Sequence, residues 1–386
     1  MRVVYVDNNA TTMVAPEVFE AMKPFLQDQY GNPSSMHAFG GKIHKNIDSA
    51  RENVADLLGA SDPQEIIFTS CGTESDNTAI MSTLRSYPDK KHIITTKVEH
   101  PAVLNLCKYL ETTGYRITYL NVDNEGMIDL NELKSSIDED TALISIMYAN
   151  NETGVIFPVE EVAEIARTRK VIVHIDAVQA VGKIPFKLTK LPVDLLSLSG
   201  HKLHAPKGVG ALYVRKGTRF TPFLIGGHQE HSRRGGTENI ASIVGLGVAC
   251  QLAGKSIEEE RARIKNLRDK LENTLLQKIA RARLNGNKKN RLPNTSNIGF
   301  EFIEGEAILL MLDEKGIAAS SGSACTSGSL SPSHVLRAMG IPFTFVQGSI
   351  RFSLSRYNNE SDIDYIIKHL PPVIERLRGI SPYRAS

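Results

Sequence analysis

The sequence has few cysteines, little net charge and no long apolar run. Its four cysteines, Cys71, Cys107, Cys250 and Cys325, form no CxxC pair and no zinc-site spacing, so we expect free thiols in a reducing compartment. The formal net charge is only +2, which argues against a general nucleic-acid or membrane surface. No uninterrupted apolar stretch approaches a membrane span, and the N-terminus turns polar too soon for a signal peptide. These absences predict a cytoplasmic protein.

What is present is the pattern of an α/β fold. The 386 residues are enough for about two or three domains. Between residues 65 and 215, short β-rich runs alternate with helical periodicity, which predicts a mainly parallel sheet. The helix after the first of these runs is predicted to begin at about Asp76. Beyond Gly227 we predict two helices, 243–252 and 258–279, with the second linking to a smaller α+β unit.

One lysine stands where an α/β sheet binds its ligands. The run 193–198 predicts a buried strand that breaks at SGHK, so His201 and Lys202 follow its carboxyl end. A buried ammonium is costly unless it is paired or neutralised, and a neutral lysine is a nucleophile that forms Schiff bases with carbonyls. Taken alone, a lysine in a Gly/Pro loop is far more often a surface residue, so the rest of the chain has to favour the nucleophile.

Two other polar turns follow predicted strands. Gly72 and Thr73 open a helix, whose N-terminus offers free N–H groups and a positive dipole end to a phosphate; an ordinary N-cap is the alternative. Asp176 ends the apolar run VIVHID, where a carboxylate is expensive unless it pairs with a cation. A capped strand end is the alternative there.

Four further residues have a structural interpretation beside a functional one. His100 precedes Pro101 after another strand and is either a site residue or a helix-capping or satisfied core histidine. Asn150 and Asn151 could reflect turn chemistry alone. Arg351 lies on a predicted strand, where an inward arginine suggests a bidentate carboxylate partner and an outward one an edge salt bridge.

Cys325 differs from the other cysteines. It lies in ASSGSACTSGSL, residues 319–330, a composition that predicts a mobile and solvent-reachable loop. Thiol reactivity requires access and thiolate character, and an ordinary thiol is a few per cent thiolate at neutral pH. The alternative is an incidental exposed thiol, which would be an oxidation liability.

Together these residues supply the parts of a pyridoxal 5'-phosphate (PLP) site. Such a site needs a Schiff-base lysine, a carboxylate for the pyridinium nitrogen and an anion cradle. Lys202, Asp176 and the Gly72 turn are candidates for the three parts. Their assembly at one place is a hypothesis.

The chain resembles the NifS-like cysteine desulfurases, PLP enzymes of the aspartate aminotransferase fold, over essentially its whole length. SGHKLHAPKG and GGHQE with RRGGTEN are closer to the nitrogen-fixation branch of this family than to its housekeeping branch. The motifs that carry the resemblance are DNNATT (7–12), GNPSS (31–35), FTSCGTESDN (68–77), VEHPAVL (98–104), NNETG (150–154), HIDAVQAVGK (174–183), SGHKLHAPKGVG (199–210), RRGGTEN (233–239), SSGSACTSGSL (320–330) and RFSLSRY (351–357).

The resemblance implies an α/β, PLP-dependent transferase fold of type I. A large PLP-binding domain, residues 16–254, would contain a mainly parallel seven-stranded sheet. A smaller α+β domain, residues 1–15 and 255–386, would carry the loop with the catalytic cysteine. We also expect a homodimer in which each subunit completes the other's site.

The resemblance also implies a role for each site residue. Lys202 would bind PLP and then transfer protons, His100 would stack on the ring and share in proton transfer, and Cys325 would be the nucleophile. Asn151 and Arg351 would hold the substrate carboxylate. The implied cofactor-binding residues are Gly72, Thr73, His100, Asn151, Asp176, Gln179, Ser199, His201, Lys202 and, from the other subunit, Thr237.

The implied reaction converts L-cysteine to L-alanine and leaves a persulfide on Cys325. The sulfur would go to an iron–sulfur scaffold protein, with nitrogenase maturation as one destination. No resident metal is expected, and any iron–sulfur contact would be a transient one through Cys325. Another fold-type-I PLP enzyme, a selenocysteine lyase or a small aminotransferase, would not need a cysteine in the loop. A non-catalytic sulfur carrier that uses Cys325 for docking would bind no PLP.

Overall fold

A computed structural model of the chain describes residues 2–321 and 332–381. Its strands are β1 (Val4–Tyr5), β2 (Ile66–Thr69), β3 (His92–Thr96), β4 (Arg116–Leu120), β5 (Thr141–Met147), β6 (Ile172–Asp176), β7 (Leu195–Ser199), β8 (Gly210–Val214), β9 (Ala282–Leu284), β10 (Thr295–Phe300), β11 (Ile317–Ala318) and β12 (Ser349–Ser353). Its helices are α1 (Pro16–Gln27), α2 (Ala38–Gly41), α3 (His44–Leu58), α4 (Gly72–Ser86), α5 (Pro101–Thr112), α6 (Leu130–Ser136), α7 (Val159–Arg169), α8 (Gln229–Ser232), α9 (Ile240–Lys278), α10 (Gly305–Asp313), α11 (His334–Ala338), α12 (Phe343–Val346) and α13 (Glu360–Ile380).

A seven-stranded sheet forms the centre of the fold, in the order β2-β8-β7-β6-β5-β3-β4. Strands β4, β3, β5, β6 and β7 are mutually parallel, whereas β8 is antiparallel to both of its neighbours. Every residue of β3, β5, β7 and β8 is buried, the polar ones included. The predicted fold class, with its mainly parallel seven-stranded sheet, is confirmed.

The sheet gathers polar turns at one edge. Strand β6 ends at Asp176, and β7 ends at Ser199 before a short 3-10 turn, Gly200–Lys202. Carboxyl ends of parallel strands share one edge, which is where open α/β sheets bind ligands. Helix α4 begins at Gly72 and not at the predicted Asp76, because the extended Cys71 already serves as its N-cap.

A smaller unit follows the sheet in the chain. It contains the antiparallel sheet β12-β10-β9 and the parallel pair β1-β11. A second apolar cluster joins these strands to α10, α13 and the C-terminal half of α9. Segments around Leu292 and 335–346 pack into the larger cluster instead, so the chain crosses between the two cores. The domain boundaries at residues 15 and 254 stay a prediction.

Helix α9 is a single helix where the sequence predicted two. The two helices predicted at 243–252 and 258–279 are one helix of 39 residues, because nothing in the Gly254–Ser256 stretch between them breaks a helix.

An 18-residue window of α9 is also apolar and long enough to cross a membrane by length and composition, although 56% of it is buried in the protein. The helix packs on α3 so closely that a Cβ on Gly247 would lie 2.6 Å from the Cα of Ala50. This contact is typical of a buried core helix.

A strained turn before α9 is held by a buried ion pair. Glu230, His231 and Ser232 all have φ between 47° and 62°, a region that non-glycine residues rarely adopt. The Glu230 carboxylate accepts two hydrogen bonds from Arg51, at 2.7 and 2.8 Å, and a third from the Phe68 N–H. This ion pair anchors the segment that leads to Thr237.

We expect Glu230→Ala to lower the free energy of unfolding by about 3–5 kcal/mol, because it leaves the Arg51 guanidinium charged, buried and unpaired. Urea denaturation measures the change. The matched control is Glu258→Ala, which removes an exposed ion pair with Arg261 and should cost less than about 1 kcal/mol. Equal losses in the two variants would contradict this prediction.

Candidate active site

A cavity of about 290 Å³ lies at the carboxyl edge of the sheet. It brings together ten of the residues predicted from the sequence, and they come from six separate stretches of the chain. Those on its wall are Gly72, Thr73, His100, Asn151, Asp176, Gln179, Ser199, His201, Lys202 and Arg351. Thr237 is not on this wall and is exposed between α8 and α9. Cys325 lies outside the described residues.

Lys202 ends the turn after β7 and points at the N-terminal segment. Its Nζ donates to the main-chain oxygens of Asn9, at 2.6 Å, and Ala10, at 2.7 Å. The ammonium is therefore held at the cavity wall by oxygen dipoles. A lysine held in this way can form a Schiff base with an aldehyde that enters the cavity.

Asp176 is a buried carboxylate on the same wall. Its Oδ1 accepts the Val178 N–H at 2.9 Å. Burial raises the pKa of Asp176 to about 6, while the Val178 N–H and the positive charge of Lys202 act in the opposite direction. Such a carboxylate gains most from a cationic partner in the cavity, which fits a pyridinium nitrogen.

His100 is the N-cap of α5. Its Nδ1 accepts the Ala102 N–H at 3.1 Å, so a neutral ring carries its proton on Nε2. Burial, followed by the charges of Lys202 and His334, lowers the pKa of His100 to about 4. The imidazole is therefore neutral at physiological pH. A neutral ring can stack on an aromatic cofactor without opposing the Lys202 charge.

The N-terminus of α4 forms the anion cradle. Gly72 and Thr73 line the cavity, and the N-cap Cys71 gives no side-chain capping bond within the described part of the chain. A Cβ on Gly72 would lie 2.9 Å from Val178, so a larger residue would crowd the cradle. Helix N-termini with free N–H groups bind phosphate. Ser199 and His201 lie on the same wall, and together these residues fit the phosphate of PLP.

Arg351, on β12, is buried at the other end of the cavity. Its Nη2 lies 2.7 Å from Asp7 Oδ1, and its Nη1 donates to the Asn151 main-chain oxygen at 3.0 Å. Its Nε is buried and has no hydrogen-bond partner among the described residues. Arg351 therefore faces the cavity, but it contacts Asp7 through one nitrogen and not as the predicted bidentate pair, and β12 is the edge strand of its three-stranded sheet.

Sequence reasoning missed several residues at the site. Asn9, Ala10 and Asp76 line the cavity, and Lys183 lies behind Gln179. The motif DNNATT contains Asn9, and HIDAVQAVGK contains Lys183, but neither motif indicates what its polar side chain contacts. Only the fold brings residue 9 beside residues 179 and 202.

Three acids are buried in this region of the protein: Asp76 and Asp176 line the cavity, and Glu99 precedes His100. Asp76 and Glu99 each keep a buried oxygen without a hydrogen-bond partner among the described residues. Burial, and then the charge of Asp176, raises the pKa of Asp76 well above its usual range. Burial also raises the pKa of Glu99 to about 8, although Thr96 and the Met147 N–H bond to its other oxygen. Asp176 is the one among the three that faces the Lys202 charge.

Glu99 makes stability depend on pH. Its folded-state pKa of about 8 exceeds the unfolded value of about 4.3, so the folded protein binds the extra proton between these values and loses stability as the pH rises through them. Glu99→Gln keeps the acceptor oxygen and removes the titration. We therefore expect its melting temperature to rise relative to wild type between pH 5 and pH 8. Glu139→Gln, at an exposed position, is the control, and a constant difference for Glu99→Gln across this range would refute the assignment.

A lysine that can form a Schiff base, a buried carboxylate and a helix N-terminus without a side-chain cap meet at the carboxyl edge of a mainly parallel sheet. This combination defines a PLP-dependent enzyme of fold type I. The sequence profile of the class-V aminotransferases matches residues 4–366. The chain belongs to the class-V aminotransferase family.

Known relatives agree over the full length. A cysteine desulfurase of Trichormus azollae is 61% identical, with 100% of this chain and 96% of the relative covered. The cysteine desulfurase NifS of Azotobacter vinelandii is 57% identical, with 98% of this chain and 94% of the relative covered. A solved NifS-like protein is 42% identical with a TM-score of 0.91, and the match covers 98% of this chain and all of that one. The predicted resemblance to NifS-like proteins is confirmed.

Proposed function

We propose that this protein is a cysteine desulfurase that converts L-cysteine to L-alanine and takes the sulfur as a persulfide on Cys325. The observation that supports this most strongly is the single cavity on which Lys202, Asp176, His100 and Arg351 all lie. Full-length similarity to cysteine desulfurases adds the substrate class. The alternative of a carrier without PLP finds no support, because class-V aminotransferases are PLP-dependent enzymes.

The residues of the cavity divide the work between binding and proton transfer. PLP, when bound, supplies an electron sink for negative charge at the substrate α-carbon. Arg351 and Asn151 bind the substrate carboxylate and orient the α-C–H bond toward Lys202. The Lys202 amine takes the α-proton and returns it, and the Asp176 carboxylate would pair with the ring nitrogen of PLP. His100 lines the cavity with a neutral ring and excludes water from one face.

Sulfur leaves through Cys325. The thiolate attacks the substrate sulfur, so an S–S bond forms as the C–S bond of cysteine breaks. The electron pair of the broken bond stays with the carbon fragment, which takes up a proton and becomes alanine. The sum is Cys325 thiolate plus cysteine giving Cys325 persulfide plus alanine, and no external oxidant or reductant is required.

The wider setting extends the same proposal. We infer a cytoplasmic homodimer in which Thr237, exposed here, reaches the phosphate of the partner subunit. The persulfide sulfur passes to an iron–sulfur scaffold protein. Similarity to a NifS protein supports a role in nitrogenase maturation. A selenocysteine lyase or a small aminotransferase is the second candidate, and Cys325 distinguishes it from the first.

Mass spectrometry of peptides after L-cysteine treatment tests this function. One added sulfur atom on the Cys325 peptide is expected, with none on the peptides of the buried Cys107 and Cys250. Alanine should appear in equal amount in a single turnover. Alanine formation without sulfur on Cys325, or sulfur on Cys71 instead, would overturn the proposed nucleophile.

A further inference from the structure

Lys183 is a half-buried lysine behind the cofactor cavity. Its Nζ donates to Gln179 Oε1 at 2.6 Å and to Asn9 Oδ1 at 3.1 Å, and no carboxylate in the described part of the chain forms an ion pair with it. Lys183 is not on the wall of the cavity, whereas Gln179 and Asn9 are. Its route to the cofactor therefore runs through their side chains.

The contacts at Gln179 fix which end of its amide faces which neighbour. Lysine only donates and a main-chain oxygen only accepts, so Oε1 faces Lys183 and Nε2 faces the Asn9 carbonyl, 3.0 Å away. An amide nitrogen has two N–H groups, and the Asn9 carbonyl takes one. The other is left for a group in the cavity.

Asn9 is itself immobilised. Its Nδ2 donates to the Asn151 main-chain oxygen at 3.1 Å and to Thr295 Oγ1 at 2.9 Å, which leaves Oδ1 for Lys183 and for Asn294. The residue is 1% exposed. Lys183 therefore links the Gln179 side chain to Asn9, a residue whose own position is fixed.

We infer that Lys183 is a positioning residue, which holds Gln179 as a hydrogen-bond donor toward the ring oxygen of PLP. The inference rests on the proposed function, because it takes PLP as the occupant of the cavity. Burial, and then the charges of Lys202 and Arg351, hold the pKa of Lys183 well below its usual range. Gln179 Oε1 and Asn9 Oδ1 each accept one N–H from Lys183. A neutral lysine still has two N–H groups, so both hydrogen bonds survive loss of a proton.

The visible absorbance of the bound cofactor reports this donor. An N–H at the ring oxygen stabilises negative charge there and so weakens binding of a proton at the adjoining Lys202 nitrogen. Without Lys183, Gln179 Oε1 loses its partner and the amide is free to turn. The midpoint of the absorbance change with pH should then move upward by about one unit.

The experiment compares absorbance titrations of holoenzyme variants, together with the affinity of each apoprotein for PLP. K183M should shift the midpoint as Q179L does and weaken PLP binding about tenfold. K183Q keeps an N–H donor without the charge and should remain within a few tenths of a unit of wild type. The double variant K183M/Q179L should equal Q179L alone, since Lys183 acts through Gln179. K190M, at an exposed lysine of the same segment, is the control.

Three results would overturn the inference. The first is a K183M midpoint equal to that of wild type, and the second is a double variant whose midpoint shift is the sum of the two single shifts. The third is a K183Q midpoint shift as large as that of Q179L, because the effect would then come from the charge of Lys183. The last comparison stands even if K183M fails to fold. Failure of the proposed function looks different: wild-type protein that takes up no PLP contradicts both, whereas normal sulfide release with an unshifted K183M contradicts only the role of Lys183.

Discussion

Lys202→Ala should abolish covalent attachment of PLP and lower turnover of L-cysteine by more than about a thousandfold. Lys202 lies on the cavity wall near Asp176, whose pKa responds to its charge, and it is the proposed nucleophile for the cofactor aldehyde. The oxygens of Asn9 and Ala10 that accept its N–H groups border a cavity and can bond to water instead. The fold is therefore expected to persist.

Borohydride reduction followed by peptide mass spectrometry measures the loss. Wild type should carry a reduced PLP adduct on Lys202, and the variant should carry none. Lys207→Ala, at an exposed lysine of the same loop, is the matched control and should retain the adduct. A stable adduct on another lysine of the Lys202→Ala protein would refute the assignment, and circular dichroism would show whether the fold is retained.

The sequence predicted the sheet well because its strands are buried on both faces. Runs such as VIVHID and LLSLS are mostly apolar and bounded by turn residues, so β6 and β7 could be placed within about two residues. Helix α9 was harder to predict. A glycine followed by polar residues at 254–256 indicated a gap between two helices, yet the chain is helical throughout this stretch.

The site, like the fold, was predictable in part. Asp176, Lys202 and Gly72 follow strands, so the rule that strand ends share an edge brought them together. Asp7, Asn9 and Lys183 act through contacts with residues far away in the chain, such as the 2.7 Å pair of Asp7 with Arg351. A pattern of residue types along the chain does not predict such long-range contacts. The sequence could therefore name the residues that carry the chemistry but not those that hold them in place.

Cys325→Ala should lower sulfide release from L-cysteine by more than about a thousandfold while the PLP absorbance stays unchanged. Residues on both sides of its segment contact the site. Ser320 exchanges main-chain hydrogen bonds with Arg351, Ser333 Oγ donates to Glu152, and His334 Nε2 lies 3.0 Å from the Glu99 oxygen. The described residues on either side of 322–331 thus contact Arg351 and the sequence neighbours of Asn151 and His100. Ser327→Ala, in the same segment, is the control and should release sulfide normally.

The same variant separates the two halves of the reaction. In the proposed mechanism, proton transfer at the α-carbon depends on Lys202, and sulfur transfer depends on Cys325. In deuterated water, Cys325→Ala should therefore still exchange the α-hydrogen of bound L-alanine, whereas Lys202→Ala should not. Normal sulfide release by Cys325→Ala would instead point to Cys71, whose side chain lies on the cavity wall. Loss of both exchange and sulfide release would mean that Cys325 is needed for the proton step, and the division of labour between lysine and cysteine would fail.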